Sequence, residues 1–179
     1  DPEPPMGSIL RLHKVPSCGG DTLFSSMYAA YDALSQPMKD LLCGLSAVHS
    51  GEHVYRGRYE YTEGTREDTK QAFPRSEHPV IRTHPETGRQ ALFVNASFTT
   101  HIKGLSDKES AWLLDHLYAQ AANPEIQCRF RWEAGSLAFW DNRASQHLAA
   151  SDYFPARRVM ERVTIAGDRP YYDPDAKAA

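Results

Sequence analysis

The sequence predicts an α+β fold in which β-strands predominate and a few helices flank them. Residues 157–165 alternate between a mainly apolar and a mainly polar set, and this period of two is typical of a strand. Residues 127–132 alternate in the same way, with Phe130 and Trp132 in the apolar set. Residues 106–109 read Ser-Asp-Lys-Glu, a capping box that predicts the start of a helix. Strands framed by helices indicate the α+β class.

The other elements are less regular. Further strands are predicted over residues 6–15, 22–25, 78–82, 90–94 and 136–140, with a hairpin turn between the third and fourth of these. Further helices are predicted over residues 26–34 and from Pro37 onward, and the helix after Ser106 should bury a stripe containing Trp112, Leu113 and Leu117. Residues 48–73 are polar and lack periodicity, which indicates a long excursion or lid.

Composition limits the class of protein. The chain has 179 residues, 41% of them hydrophobic and 24% charged, which predicts one folded domain with its own core. A net charge of −3 gives no basic surface for nucleic acid, and no apolar run reaches the roughly 20 residues of a membrane span. The three cysteines, Cys18, Cys43 and Cys128, are far apart. They predict neither a disulfide framework nor a zinc site and fit a reducing, cytoplasmic compartment.

The segment from Trp140 to His147, followed by Arg158 and Arg162, carries the strongest chemical signal. On a strand, Arg158 and Arg162 point to the same face, where two guanidinium groups repel each other unless anions lie opposite. The guanidinium fork is well shaped to hold a carboxylate or a sulfonate. The segment therefore predicts a pocket with one imidazole and two anion-binding groups, while Asp141 and Asn142 should shape the turn that leads to His147.

This pattern, W-D-N-R-x-x-x-H followed by R-x-x-x-R and a G-D-x-P end, resembles the C-terminal signature of the Fe(II)/2-oxoglutarate-dependent dioxygenases of the taurine dioxygenase type. Two further blocks carry the resemblance, residues 4–24 with their Pro-Pro-x-Gly and Gly-Gly-Asp-Thr segments, and residues 84–95. The resemblance implies a double-stranded β-helix, or jelly roll, with helices outside and the metal at one open end. Residues 1–172 would form a single dioxygenase domain, and residues 173–179 a polar, disordered tail.

The resemblance also implies roles for single residues. His147 would be a ligand of Fe(II), whereas read by itself it could be a surface or capping histidine. Arg158 and Thr22 would hold the distal carboxylate of 2-oxoglutarate. Without the resemblance, Arg158 could equally form a salt bridge at a strand end, and Thr22 would be an ordinary strand residue. Arg162 would bind the sulfonate of the substrate, consistent with the preference of a permanent cation for an anion.

Two aromatic residues, Phe98 and Tyr55, lie where the family lines its substrate site, although either could serve only core or lid packing. His49 and His53 have the i, i+4 spacing of a metal pair on a helix, but their surroundings are poorly helical. The family completes its iron site with an H-x-D motif just before the Pro-Pro-x-Gly segment. Because the sequence begins at Asp1, too late to contain that motif, we expect the N-terminal part of the domain to be missing from it.

The sequence thus favours a dioxygenase that uses Fe(II), 2-oxoglutarate and O2 to hydroxylate a small sulfonate. Taurine is the expected substrate, with release of sulfite and an aldehyde and with succinate and CO2 as co-products. An alkyl sulfate or an aryloxyalkanoate is an alternative substrate. A relative that binds anions without catalysis and a partner-binding scaffold remain as alternative functions. Self-association into a homo-oligomer is expected from the frequency of such assemblies.

Overall fold

A computed structural model describes residues 1–55, 73 and 75–177. The strands in these ranges are β1 (Gly7–Lys14), β2 (Thr22–Ser26), β3 (Ser46–Ser50), β4 (Arg75–Pro79), β5 (Ile81–Thr83), β6 (Gln90–Leu92), β7 (Thr99–Ile102), β8 (Gln127–Phe130), β9 (Leu137–Asp141), β10 (Ser145–Ala149) and β11 (Val159–Ile165). The helices are α1 (Met27–Asp32), α2 (Gln36–Leu42), α3 (Glu52–Tyr55) and α4 (Asp107–Ala121), with a 3-10 helix at Pro124–Ile126. The described chain is therefore rich in strands, with helices of limited number, as predicted.

Two antiparallel sheets share a small core. Their strand orders are β11-β1-β9 and β10-β2-β8. Leu12 of β1, Trp140 of β9 and Trp132, which follows β8, are buried together in this core. The alternate positions of the first sheet point away from it, so that Phe139 and Val163 are 61% and 60% exposed. The period of two in the sequence thus separates a core-facing set from an outer set.

A larger core lies among the helices, a third antiparallel sheet with the order β4-β3-β7, and the hairpin β5-β6. Helix α1 packs on β6, and α4 packs on β7. Its fourteen buried residues are Met27, Ala30, Leu34, Leu42, Ala47, Val80, Ile81, Ala91, Leu92, Val94, Ile102, Leu113, Leu114 and Leu117. Burial of aliphatic surface on this scale makes the cluster the main source of hydrophobic stabilisation.

Helix starts agree with the local sequence signals. The Ser106 side chain accepts a hydrogen bond from the Glu109 backbone N–H, and the Ser106 backbone N–H donates to Glu109 Oε2 over 2.9 Å, which confirms the predicted capping box. Ser35 caps α2, and Pro37 occupies its first turn, where a missing N–H costs nothing.

The apolar stripe of α4 differs from the prediction. Leu113, Leu114 and Leu117 are buried, but Trp112 is 63% exposed and stacks on His116 at the surface. The stripe includes Leu114 in place of Trp112 because the helix presents the aliphatic side to β7. Cys128 is also exposed, so the half-buried pattern predicted for residues 127–132 holds at Phe130 and Trp132 but not at the start of the strand.

The predicted excursion over residues 48–73 is wrong at its start. Val48 to Ser50 belong to β3, which is hydrogen-bonded to β4 and β7. The signal was hidden because β3 buries polar residues, His49 and Ser50, where an apolar residue would have revealed the strand. Residues 56–72 of the predicted lid lie outside the described residues. The predicted strand 78–82 is divided between β4 and β5, which belong to different sheets.

The C-terminal segment returns to the hairpin β5-β6. Arg82, only 1% exposed, donates two hydrogen bonds of 2.7 Å to the carboxylate of Asp168. The Asp173 backbone N–H donates to Thr83 Oγ1 over 2.8 Å, and the Asp173 carbonyl accepts from Gln90 Nε2 over 2.7 Å. The prediction of a disordered tail after Tyr172 is therefore wrong at Asp173, because backbone groups there are paired.

Across the described ranges, none of the helices has both the length and the apolar character needed to cross a lipid bilayer.

Candidate active site

His147 lies on β10, directly opposite Phe24 of β2. Its ring centroid is 4.9 Å from that of Trp140 and 6.1 Å from that of Phe24. Desolvation by these neighbours, together with the positive charge of Arg162, lowers the pKa of His147 below its ordinary value. The residue as a whole remains solvent-exposed, so the aromatic neighbours shield only part of the ring. The imidazole is therefore neutral at neutral pH, which is the form that binds a metal ion.

The turn that leads into β10 is fixed by Asp141. One carboxylate oxygen, Oδ1, accepts the backbone N–H of Arg143 over 2.7 Å, and the other, Oδ2, accepts from Arg143 Nη2 over 2.7 Å. Oδ2 also lies 3.0 Å from His84 Nε2. Burial raises the pKa of Asp141, but the hydrogen bonds from Arg143 and His84 outweigh this effect and lower the pKa to about 2. The carboxylate is charged under all ordinary conditions and keeps the turn closed.

The protonation state of His84 follows from its contacts. Its Nδ1 faces the backbone N–H groups of Glu86 and Thr87, each at 3.2 Å, and must therefore act as an acceptor. The ring proton resides on Nε2 and is donated to Asp141. His84 thus ties the turn of the β5-β6 hairpin to the turn before His147. No local pattern indicates this link, since the two residues are 57 positions apart.

Asn142 completes the same turn. Its Oδ1 accepts the indole N–H of Trp140 over 2.8 Å, while its Nδ2 donates to Ser8 Oγ over 3.1 Å and to the Pro5 carbonyl over 3.2 Å. The Ser145 hydroxyl donates to the Asp141 carbonyl. These contacts confirm that Asp141 and Asn142 shape the turn leading to His147.

Arg158 approaches Thr22, 136 positions earlier in the chain. Its Nη2 lies 3.4 Å from the Thr22 hydroxyl oxygen, and its Nε is buried without a hydrogen-bond partner. No carboxylate within the described ranges forms an ion pair with Arg158, which removes support from the alternative of a structural salt bridge. A partly buried guanidinium group without a counter-charge has a strong preference for an anionic ligand.

Gly20 makes room for this arginine. Its φ angle is +79°, a conformation that L-residues rarely adopt, and a Cβ atom there would lie 3.1 Å from Arg158 Cδ. The Gly20 backbone N–H also donates to Asp152 Oδ1 over 2.8 Å, which holds the Gly-Gly-Asp-Thr segment against the loop before β11. The backbone at Gly20 therefore approaches Arg158 more closely than a residue with a side chain would allow.

Sequence reasoning missed a contact of Thr22. The indole N–H of Trp132 donates to the Thr22 hydroxyl oxygen over 2.9 Å, and both residues are buried, at 5% and 2% exposure. The Arg158 guanidinium carbon lies 5.6 Å from the Trp132 ring centroid. Alternation had placed Trp132 on the buried side of its segment, but only the fold could reveal which group its N–H would meet.

Arg162 lies on β11 opposite Leu10 of β1, on the core-facing side of that sheet. Its charge acts on His147, as the lowered pKa of that ring shows, and its side chain is exposed. Arg158, four residues earlier, lies just outside β11, which begins at Val159, so the shared face of the two guanidinium groups stays a prediction from their spacing.

Tyr55 and Phe98 contact each other, with ring centroids 6.1 Å apart and planes inclined by 39°. Phe98 is held to β3, because its carbonyl accepts the Ser50 backbone N–H over 2.8 Å. The predicted residues thus form three groups: Arg158 with Thr22 and Tyr55 with Phe98, which are in contact, and His147 with Arg162, whose charge contributes to the lowered pKa of that histidine. The groups of Arg158 and His147 are adjacent, since Thr22 and the partner of His147, Phe24, lie two residues apart on β2.

The other histidines with a notable arrangement are His49 and His78. His49 lies on β3 and not on a helix, so its i, i+4 spacing to His53 does not describe a helical pair, and the His53 side chain lies outside the described residues. Instead the His49 and His78 rings pack edge to face with centroids 5.0 Å apart. Burial lowers the pKa of His49 to about 3 and that of His78 to about 4. Within the described ranges, no three His, Cys, Asp or Glu side chains come together as a metal-binding group.

Several known dioxygenases are similar to this chain. The chain is 40% identical over 171 residues to the alpha-ketoglutarate-dependent sulfate ester dioxygenase of Pseudomonas putida, covering 93% of this chain and 56% of that protein. It superposes on a taurine dioxygenase from Burkholderia xenovorans with a TM-score of 0.81 and 40% identity, covering 99% of this chain and 57% of that one.

A third comparison is with AAD-2 in complex with Mn(II) and N-oxalylglycine, with a TM-score of 0.82, 33% identity, and coverage of 96% of this chain and 67% of that one. The chain spans about half the length of the first curated relatives it matches, 43% and 56%. Residues 1–164 match the family described as taurine catabolism dioxygenase TauD, TfdA family. The chain therefore belongs to the TauD/TfdA family of dioxygenases.

Proposed function

We propose that the full-length protein is an Fe(II)/2-oxoglutarate-dependent dioxygenase that hydroxylates a small sulfonate, with taurine as the preferred substrate. The observation that carries this proposal is the position of a neutral imidazole, His147, close to Arg162 and, across β2, to Arg158, neither of which forms an ion pair with a described residue. Such a surface offers one metal ligand and separate positions for two anions. A 2-oxoglutarate-dependent sulfonate oxygenase requires both anions, because its co-substrate and its substrate each carry a negative group.

His147 would supply one of the protein ligands to Fe(II). The partly desolvated, neutral ring fits a ferrous ion, which accepts imidazole readily. Bound Fe(II), together with 2-oxoglutarate and O2, would supply the oxidising power for hydroxylation. The turn held by Asp141, Arg143 and His84 would keep the His147 ring in place before the metal arrives.

Arg158 and Thr22 would hold the distal carboxylate of 2-oxoglutarate. The buried Nε of Arg158 lacks a partner, and a carboxylate is an acceptor-only group that could satisfy it. Charge-assisted hydrogen bonds from a guanidinium group are about twice as strong as neutral ones, which favours a dicarboxylic keto acid over a neutral ligand. Binding at this point orients the co-substrate toward His147, because Thr22 is two residues from Phe24, the cross-strand partner of that histidine.

Arg162 would bind the sulfonate, and Tyr55 with Phe98 would line the remainder of the substrate site. The charge of Arg162 acts on His147, so a sulfonate held by this arginine would lie beside the metal ligand. Hydroxylation of the carbon that bears sulfur gives a product that breaks down to sulfite and an aldehyde. The co-products are succinate and CO2.

The proposal includes the wider architecture. The two sheets β11-β1-β9 and β10-β2-β8 share a core, which supports a double-stranded β-helix, or jelly roll, within a single domain over residues 1–172. Three free cysteines support a reducing compartment such as the cytoplasm. A homo-oligomer is the assembly we propose.

An alkyl sulfate is the second candidate substrate. A sulfate ester presents the same tetrahedral anion to Arg162, and the relative from Pseudomonas putida is named for this substrate class. An aryloxyalkanoate would instead place a planar carboxylate there. A non-catalytic anion-binding protein would retain the arginines without a complete metal site.

The test uses the full-length protein, prepared without metal under anaerobic conditions. Addition of Fe(II) and then 2-oxoglutarate should produce the visible absorption band of an iron-chelated keto acid. Admission of O2 with taurine should then release sulfite in proportion to succinate. Absence of the absorption band would contradict the dioxygenase assignment.

A substrate panel separates the candidates, with taurine, a linear alkyl sulfonate, an alkyl sulfate and an aryloxyacetate compared at equal concentrations. The Arg162→Gln variant should lose activity on every anion, whereas Arg157→Gln, which removes an exposed neighbouring charge, should retain it. Succinate formation with an alkyl sulfate but no sulfite from taurine would replace the proposed substrate while leaving the reaction class intact.

A further inference from the structure

The Thr22 hydroxyl group has two neighbours that are both hydrogen-bond donors. It accepts the indole N–H of Trp132 over 2.9 Å and lies 3.4 Å from Arg158 Nη2. Both neighbours are donors only, so neither can receive the hydroxyl proton. Among the described residues, no hydrogen bond runs from this hydroxyl to an acceptor. Its proton is therefore available to a ligand.

The orientation of that proton depends on Trp132. A hydroxyl group has one proton and two acceptor lone pairs, and it rotates freely unless its neighbours fix it. The Trp132 ring is 5% exposed and packs edge to face on Phe130, with centroids 4.7 Å apart and planes inclined by 76°. The indole N–H therefore has little freedom and occupies one lone pair of Thr22 permanently. The Arg158 guanidinium is a second donor on another side of the Thr22 oxygen. The O–H bond therefore points in the direction that neither donor occupies.

We infer that Trp132 is a positioning residue that selects keto acids carrying a distal carboxylate, by orienting the Thr22 hydroxyl proton toward that carboxylate. This inference rests on the proposed function, because it assigns the ligand of Thr22 and Arg158 to 2-oxoglutarate. It adds a third residue to the co-substrate site, one that does not itself touch the ligand. The two groups that face the ligand, the Thr22 hydroxyl and the Arg158 guanidinium, both donate hydrogen bonds, and a carboxylate, which only accepts, satisfies such a pair.

The first experiment compares two keto acids. In the full-length protein loaded anaerobically with Mn(II), Trp132→Phe should weaken 2-oxoglutarate binding about tenfold, the size of one hydrogen bond. The affinity for 2-oxopentanoate, which lacks the distal carboxylate, should not change. Trp112→Phe is the matched control, because Trp112 is 63% exposed and distant from Thr22 in the fold, and it should leave both affinities unchanged.

A double-mutant cycle tests whether Trp132 acts through Thr22. Thr22→Val removes the hydroxyl group and should also weaken 2-oxoglutarate binding. Adding Trp132→Phe to Thr22→Val should then cause no further loss, since the proton to be oriented is gone. Additive losses, or equal losses for 2-oxoglutarate and 2-oxopentanoate, would show that Trp132 acts only through packing and would overturn the inference.

The outcome also separates this inference from the proposed function. If the wild-type protein does not bind 2-oxoglutarate, both fail. If it binds and Trp132→Phe binds equally well, only the inference fails.

Should Trp132→Phe not fold, the wild-type protein provides a second measurement. In the Zn(II)-loaded, nitrogen-15-labelled protein, the Trp132 indole resonance is identified by its shift in Thr22→Val. Saturation with 2-oxoglutarate should shift this resonance, because the polarised Thr22 hydroxyl strengthens its bond to the indole. Saturation with 2-oxopentanoate should not. An unchanged resonance at full 2-oxoglutarate occupancy would refute the role of Trp132.

Discussion

The two buried clusters of this molecule differ in composition and in position relative to the candidate site. The larger cluster, between the helices and the sheets of β3 to β7, has fourteen buried residues, all aliphatic or methionine. The smaller cluster, between the sheets that carry β10 and β11, has four buried residues, two of which are tryptophans. The smaller cluster contacts the predicted metal-binding and 2-oxoglutarate-binding residues, since Trp140 packs on His147 and Trp132 donates to Thr22.

This difference indicates a division of roles. Aliphatic side chains without polar atoms stabilise the fold by burial alone, and they leave nothing for a ligand to contact. Tryptophan combines a large apolar surface with one N–H donor, so it can pack a core and direct a polar group at the same time. The larger cluster should therefore govern stability, and the smaller one ligand affinity. Variants of each cluster can test the division.

The largest effect is expected from the aliphatic cluster. Leu117→Ala removes a fully buried side chain from α4 and should lower the free energy of unfolding by about 2–5 kcal/mol, because a cavity adds to the lost burial. The affinity for 2-oxoglutarate in the protein that remains folded should not change. Urea denaturation and ligand titration on the same sample measure the two quantities.

Leu41→Ala is the matched control for this change. Leu41 is 54% exposed on α2, and its truncation should alter the free energy of unfolding by no more than about 0.5 kcal/mol. A loss of keto-acid affinity in Leu117→Ala would show that the two clusters are energetically coupled.

The second-largest effect is expected from a residue beside the smaller cluster. Arg158→Gln should weaken 2-oxoglutarate binding roughly 100-fold, because it removes the charged partner of a desolvated carboxylate. Its thermal stability should change little, since the guanidinium group has a buried Nε without a partner and no ion pair among the described residues. Calorimetric titration and thermal unfolding provide the two readouts.

Arg157→Gln serves as the control, because it removes the same charge from an exposed neighbouring residue. If Arg158→Gln lowered stability more than ligand affinity, the arginine would be a structural residue, contrary to the division proposed above.

A smaller, pH-dependent effect is expected from the sheet β4-β3-β7. Burial lowers the pKa of His49 to about 3 and that of His78 to about 4, against about 6.5 in an unfolded chain. The unfolded state therefore binds more protons below pH 6.5, so the free energy of unfolding falls as the pH decreases through this range and is constant above it. The decrease in the free energy of unfolding caused by each ring approaches about 1.4 kcal/mol per pH unit.

His49→Phe should make the dependence of stability on pH between 6.5 and 5 shallower, as measured by urea denaturation at several pH values. His116→Phe, at an exposed position on α4, should leave the dependence unchanged. Asp141 contributes in a different window, because its lowered pKa causes loss of stability only below about pH 4. An identical dependence in His49→Phe and the wild-type protein would contradict the assignment to the buried pair.

Local signals predicted much of the fold. The capping box at Ser106, the proline in the first turn of α2 and the alternation before Ile165 each describe an element that residues nearby in sequence determine, and all three are present. Elements without such signals were missed. Strand β3 buries His49 and Ser50, and β10 carries His147 with an exposed Leu148, so neither shows the alternation on which a prediction depends.

The candidate site likewise has features that local sequence predicts and features that only the fold determines. The spacing of Arg158 and Arg162 by itself predicts that both guanidinium groups border one face, because side chains on a strand repeat every two residues. Only the tertiary structure decided that Trp132 would donate to Thr22 and that His84 would fix Asp141, since these pairs are 110 and 57 residues apart. Contacts of this kind depend on which strands become neighbours, and that depends on the burial of the whole chain rather than on any local pattern.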